Sequence, residues 1–454
     1  MSEPSAVPAE AVRDLAEELL GFVRVPSVSS DPERRDDCRG AAAWLRDRFE
    51  AAGAAVARLI ETPLHPAVFA SFPPPPGSPT ILVYGHYDVQ PAEASAWTSP
   101  PFEPEIRNGR VYGRGSSDDK GNVLAALAAV RSLKAGPDGL GIGLKFLIEG
   151  EEEIGSPHLD ALLAEHRRLL ACDAAFCADG GMFGESSCSI GVSARGGFVL
   201  RLWVKGPASD THSGLVGGAV RNPIHELSAL IASLHDGEGM VAVEGFYDRV
   251  RPLEAEERLE LARLPFDEEL FVAANGPLHG EREYSVPERI GARPALDLIA
   301  FHGGGGAGGE GVTAIVPSKA WAVLMCRTVA DQDPWVVREQ VKQHLKKLMP
   351  EGLSYGFEEK DCFWDYRVPE GLPALSSAIR ALEEVYGTRP LLCRDGGGLP
   401  LRRFQDILGV SPVIFAFSRD SEGAHGKDEH FPLEGMGLAM ASWTSLYRIL
   451  GRRG

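Results

Sequence analysis

The chain has 454 residues, 44% of them hydrophobic and 24% charged, a balance ordinary for a globular protein with room for two or three domains. With 64 acidic against 46 basic residues, its formal charge of −18 disfavours phosphate backbones and anionic lipid, so no nucleic acid or membrane partner is expected. Seven cysteines without a CxxC pair fit reduced thiols in the cytoplasm, and leave His and carboxylates as the ligands for any metal.

Along the chain, Val12, Leu15, Leu19 and Phe22 recur at helical spacing and predict an opening amphipathic helix. No basic, apolar secretory leader is legible there, and no segment approaches the roughly 20 apolar residues that span a bilayer. "FPPPPG" (72–77) reads as a rigid connector into a strand. Apolar runs then stop abruptly at charged or Gly residues: "TILVYG" (80–85), "LKFLI" (144–148), "DAAFCA" (173–178) and later "SPVIFAF" (411–417). With "NVLAALAAVRSL" and similar helical segments between them, this is an α/β pattern with a largely parallel sheet.

Between about 193 and 361 the pattern changes. "GGFVLRLWVKG" and "AWAVLMCRTV" alternate like half-exposed strands, while "NPIHELSALIASLH" and "PWVVREQVKQHLKKLM" have helical periodicity. This predicts an inserted α+β domain over 193–360, between catalytic segments 1–192 and 361–454. "GGGGAGGEG" (303–311) lacks the Gly-Lys-Ser/Thr of a phosphate loop and reads as a flexible loop.

The unusual chemistry follows the strands: His86 and Asp88, Glu149 to Glu153, Asp179, and finally His425. Ligands of open α/β sheets bind beyond the carboxyl ends of the strands, so these segments converge on one crevice. His86 and Asp88, two residues apart, point the same way on an extended segment, and Asp88 is placed to orient a ligating imidazole. In "YGRGSSDDKGN" (112–122), Asp118 and Asp119 precede an apolar helix; one acid is explained by N-capping, but two acids, Lys120 and three glycines exceed what a cap requires. The adjacent glutamates of "EGEEEIGS" (149–156) suit cations that neutralise them, although a solvated charge run is the simpler reading of EEE alone. Together, two His and three carboxylates exceed one tetrahedral zinc and suit a pair of divalent ions about 3.5–4 Å apart, with hydrolysis as the reaction class.

The order His-x-Asp-Val-x-Pro, Gly-Arg-Gly-x-x-Asp-x-Lys-Gly, Glu-Glu-x-Gly-Ser, a later Asp and a terminal Gly-Ala-His resembles the M20 metallopeptidases, most closely the carnosinase-type dipeptidases, over nearly the whole chain. The resemblance implies a zinc-peptidase-like mixed sheet flanked by helices with an inserted lid and dimerisation domain, in a homodimer. It implies two divalent ions per chain, zinc first with manganese or cobalt compatible. His86 and Asp179 would hold one ion, Glu153 and His425 the other, Asp118 would bridge them, and Glu152 would be the general base. His212, in "SDTHSGLVGG", would reach the partner's site to stabilise an oxyanion, and Arg327 and Arg394 would bind a substrate carboxylate.

The sequence departs from the family pattern at Gly398, where relatives often carry Ser or Thr, and at Ala314, where Thr is common. The implied substrate is a dipeptide or similar small amide, with an N-acyl amino acid as the alternative. A catalytically silent dimeric binding protein is the reading from another class, and a carboxylate-pair glycosidase gives no reason for His86 and His425.

Overall fold

The computed structural model describes residues 7–137, 139–184, 187–303 and 314–452. Helix α1 (Ala9–Val23) buries Leu15, Leu19 and Phe22, three of the four residues whose spacing predicts it, and α2 (Arg35–Ala51) buries Cys38, Ala41, Ala42, Leu45 and Phe49. An antiparallel pair, β1 (Val56–Ile60) and β2 (Ala67–Phe72), precedes β3 (Thr80–His86). Helix α3 (Lys120–Ala135) leads to β4 (Gly143–Glu149), followed by β5 (Ala174–Cys177).

The chain then enters β6 (Gly196–Lys205), α4 (Pro223–Ala232), α5 (Ala255–Ala262), α6 (Glu268–Asn275), β7 (Ala295–Gly303), β8 (Lys319–Thr328), α7 (Pro334–Leu348) and β9 (Ser354–Glu359). It returns through α8 (Pro373–Tyr386), β10 (Pro412–Ile414) and α9 (Leu433–Gly451).

The main sheet is mixed, in the order β1-β2-β4-β3-β5-β10. Strands β4, β3, β5 and β10 run parallel, and β1 and β2 add an antiparallel edge. Residues 81–86 of β3 are all buried, as expected for a central parallel strand covered on both faces. Parallel pairing brings the carboxyl ends of these strands to one edge, where His86 sits opposite Glu149 in register. The antiparallel edge was not legible because β1 is half exposed and short. "SPVIFAF" predicts a longer strand than the three residues of β10; beyond it, Ser418–Arg419 pairs with Gly181–Met182 instead.

The second sheet is antiparallel, β7-β8-β6-β9. In β6, Phe198, Leu200, Leu202 and Val204 are buried and the residues between them are not, the period-two signature of a sheet with one covered face. Those residues share an apolar core with Leu227 and Leu230 of α4 and Val337, Val341 and Leu345 of α7, a core drawn from residues 198–362 and separate from the one around the main sheet. The two connecting segments lie side by side, Ser193–Ala194 pairing with Tyr366–Arg367. Apart from Gly303, the glycine-rich stretch 303–311 lies outside the described residues. Among the described residues no helix is long and apolar enough to cross a membrane.

Candidate metal centre and active site

Each acidic segment reaches the crevice by a different route. His86 ends β3; the preceding residue is Gly85, where a Cβ would stand 2.6 Å from an Asp119 oxygen and 2.9 Å from Val123. Only glycine lets α3 come that close. Asp118 and Asp119, joined by a cis peptide bond, precede α3. Asp119 does not cap the helix with its side chain: its Oδ2 accepts from the His86 backbone N–H at 3.1 Å.

The three glutamates of the EEE run separate into different environments. Glu151 is buried and accepts from the His65 backbone N–H, the Thr62 hydroxyl and the His158 ring, so it fixes the loop. Glu152 and Glu153 lie in a short 3-10 turn, with Glu152 beside His86 and Asp179, and Glu153 beside Asp118 and His425. This division eases the repulsion among three neighbouring carboxylates, with Glu153 still contributing to the raised state of Glu152.

Two groups of candidate ligand atoms result, His86 with Glu152 and Asp179, and Asp118 with Glu153 and His425, the atoms of each group within 4.8 Å of one another. Asp118 stands between two imidazoles. Its Oδ1 is 3.1 Å from His86 Nε2 and its Oδ2 is 3.1 Å from His425 Nε2. His425 Nε2 is also 3.1 Å from Glu153 Oε2, and His86 Nε2 is 3.8 Å from Asp179 Oδ2. His425 occupies a left-handed backbone conformation (φ +59°), uncommon for a residue with a side chain.

The electrostatics fit a cation-binding cluster. Burial, with Asp179 adding repulsion, holds Glu152 well above the usual carboxylate range, and burial pushes Asp179 up to about 7. Burial disfavours the His86 imidazolium, but its hydrogen bonds to Asp118 and Asp88 overcome this and raise it well above 6.5. Hydrogen bonds to Asp118 and Glu153 lift His425 to about 10. Burial opposes ionisation of Asp118, yet the two histidines hold it below its ordinary value. Negative charge is thus concentrated beyond what protein cations offset, and the donors are the oxygens and imidazole nitrogens that divalent ions take.

A supporting layer fixes these groups. The His86 Nδ1 is 3.0 Å from the Asp88 carbonyl oxygen and 3.4 Å from its carboxylate. The Gln90 amide donates to Glu153 Oε2 at 2.8 Å. Sequence reasoning missed Glu429, which is buried and accepts from Arg114 Nη1 at 2.6 Å and from the backbone N–H groups of Gly115, Ser117 and Asp118. Nothing in "KDEHF" distinguishes this glutamate from a surface acid; only folding brings it under the Asp118 loop.

The remaining predicted residues lie apart from the cluster. His212 is exposed, its Nδ1 accepting from the Gly214 N–H at 3.0 Å. Arg394 is held by Glu257, 2.5 Å away, and that carboxylate also takes Arg251 at 2.6 Å and Arg367 at 3.0 Å. Arg327 ends β8, its guanidinium 5.9 Å from the centre of the Phe363 ring. Arg195, which the sequence did not single out, is pushed down to about 10 by burial and by Arg327, with Asp297 and Asp395 working against the shift. The departure at Gly398 has a steric reason: a Cβ there would lie 2.5 Å from Phe363, whose ring fills the space a Ser or Thr would occupy. Ala314 offers its carbonyl to the Ser213 N–H at 2.7 Å, beside His212.

A cavity of about 550 Å³ opens from Asp118, Glu152, Asp179 and His425 toward the 261–271 segment and Arg394. Such a volume suits a small-molecule substrate.

Known proteins align with this arrangement over nearly its whole length. The Cys-Gly metallodipeptidase DUG1 of Candida albicans is 31% identical over 445 residues, covering 91% of this chain and 90% of that protein. The Beta-Ala-His dipeptidase of Homo sapiens is 29% identical over 431 residues, covering 89% and 83%. A solved structure of the dipeptidase Dug1p from Saccharomyces cerevisiae superimposes with a TM-score of 0.87 at 25% identity, covering 98% of each chain. The model of peptidase family M20/M25/M40 matches residues 82–448, which include every residue of both ligand groups, and the chain belongs to that family of metallopeptidases.

Proposed function

We propose that the protein hydrolyses the amide bond of a dipeptide or similar small substrate at a two-ion centre. The observation that carries this reading is Asp118, one carboxylate presenting a different oxygen to each of two histidines. His86 and Asp179 would hold one ion, Glu153 and His425 the other, and Asp118 would contact both, with zinc leading and manganese or cobalt compatible. Bound divalent ions would supply Lewis acidity, lowering the pKa of a water and polarising the scissile carbonyl.

In this reading Glu152 is the general base: it takes the proton of the attacking water and returns it to the leaving amine. Its environment suits the task, because burial and Asp179 raise the pKa of its carboxyl and so make it a stronger proton acceptor. Asp88 keeps the His86 ring oriented and does not itself touch substrate. Arg327, with Arg195 nearby, offers the positive charge for a substrate carboxylate, while Arg394 reaches the cavity wall tethered to Glu257.

We assign the units as 1–192 with 361–454 for catalysis and 193–360 for lid and dimerisation. The exposed Leu298, Ile299 and Phe301 on β7, an outer strand, support a homodimer, in which His212 serves the partner's site as an oxyanion donor. Seven free thiols support a cytoplasmic location.

The N-acyl amino acid reading remains the second one, favoured by the loss of hydroxyl-bearing side chains at Gly398 and Ala314. A single experiment separates them. Elemental analysis should find about two divalent ions per chain, and the loaded enzyme should turn over dipeptides faster than N-acyl amino acids; a reversed preference makes the protein a deacylase, and no ions makes it neither.

A further inference from the structure

We infer that the far end of the cavity is a subsite for one large apolar side chain of the substrate, walled by the 261–290 segment of the inserted unit. This inference rests on the small-amide hydrolase reading above, and adds which amides are preferred. From the acidic cluster the cavity runs to Phe183, Leu261, Leu264, Phe266, Phe271 and Ile290. Phe266 and Phe271 stand with ring centroids 5.3 Å apart, and Leu261 and Leu264 pack with Cys393 and Phe183 into a small apolar cluster of their own. The rings of Phe266, Phe271 and Phe183 remain half-buried, so carbon surface is left for a ligand to cover.

The charged groups along the same wall have partners within the protein. Arg394 is taken by Glu257; Arg419 donates to the carbonyls of Gly184 and Ser187; Asp267 accepts from the Leu270 N–H at 2.9 Å and Asp395 from the Gly397 N–H at 2.7 Å. A ligand anion placed here would compete with the bonds that already hold both arginines, whereas an apolar group would gain contact and displace water.

The wall is also fixed in place. Glu257 and Leu261 are four residues apart on α5 and so share a face. The carboxylate on that face grips Arg394 and Arg367 of the catalytic unit while Leu261 packs beside Cys393, so the charge cluster holds the apolar residues in place along the cavity wall. A cavity of about 550 Å³ can hold a dipeptide carrying one aromatic side chain.

Two measurements on the full-length, zinc-loaded protein test this. Calorimetric titration with L-alanine, L-leucine and L-phenylalanine reads the subsite without turnover, and kcat/KM is compared across X-Gly and Gly-X series with X of Ala, Leu and Phe. Affinity and, in one of the two series, kcat/KM should each rise at least tenfold from Ala to Phe, the scale of discrimination an apolar pocket achieves for added carbon. Phe266→Ser and Phe271→Ser, both at half-buried positions, should lower the Phe-to-Ala ratios at least fivefold. Flat or falling ratios in both measurements with turnover intact overturn the inference and leave the hydrolase reading standing. A binding preference for phenylalanine with no turnover of any amide supports the apolar subsite and removes the hydrolase reading.

Discussion

Asp88 holds Glu152 by its main chain: its Oδ1 accepts from the Glu152 N–H at 3.2 Å, and its Oδ2 from the Glu153 N–H at 3.0 Å. The same side chain lies 3.4 Å from the His86 ring. One buried carboxylate therefore ties the end of β3 to the turn after β4. Asp88→Ala should lower metal affinity and kcat/KM by roughly 10- to 100-fold, the usual cost of losing such a support. Ion content after dialysis against a graded chelator series, together with kinetics, checks this; unchanged affinity would reduce Asp88 to a packing role.

Glu152 and its neighbour can be separated by substitution. Glu152→Gln should keep two ions per chain and lose about 10²- to 10⁴-fold in kcat, the contribution expected of a general base. Glu153→Gln should lose ion content as well. Elemental analysis beside steady-state kinetics distinguishes the pair, and equal behaviour of the two variants would contradict their different roles.

Asp118 faces both histidines, so Asp118→Ala should weaken binding at both ion positions, whereas His425→Ala should weaken chiefly one. Calorimetric titration of metal into the stripped protein reads the stoichiometry; retention of two tight sites without Asp118 would remove the bridging assignment.

Glu257 is lowered to about 2: burial works against its ionisation, but Arg251, the Glu254 backbone N–H and Arg394 overcome this. Its folded-state pKa lies below the ordinary 4.5, so its contribution to stability is full above about pH 4.5 and is lost as pH falls toward about 2. The difference in denaturation midpoint between the native protein and Glu257→Gln should be constant from pH 7 to about 5 and shrink below that. A difference that grows with acid would reverse the sign and contradict the pairing.

Gly398→Ser should destabilise the protein by about 1–3 kcal/mol through overpacking against Phe363. The double variant with Phe363→Ala should recover much of this by vacating the space. Urea unfolding of the single and double variants gives the coupling; simple additivity would mean that the ring moves aside freely.

What the sequence made legible follows from what each signal depends on. The parallel strands and the segments carrying His86, Glu149 to Glu153, Asp179 and His425 stood out because chemistry after apolar runs is a local pattern, and Asp118 with Asp119 because two acids precede a helix; which neighbouring acid takes which role rested on the family resemblance alone. Glu429 was not, since its partners Arg114, Gly115 and Ser117 lie far away along the chain. Arg394 matched a family position, yet its tether depends on Glu257, an ordinary acid in a helical run until folding surrounds it with three arginines. The short strand β1 escaped because an exposed edge lacks the apolar periodicity that reveals a covered strand.

The entire second sheet is translated between His86 and His425. The group of Asp118, Glu153 and His425 therefore closes only after that sheet has been made, whereas His86, Glu152 and Asp179 all precede it.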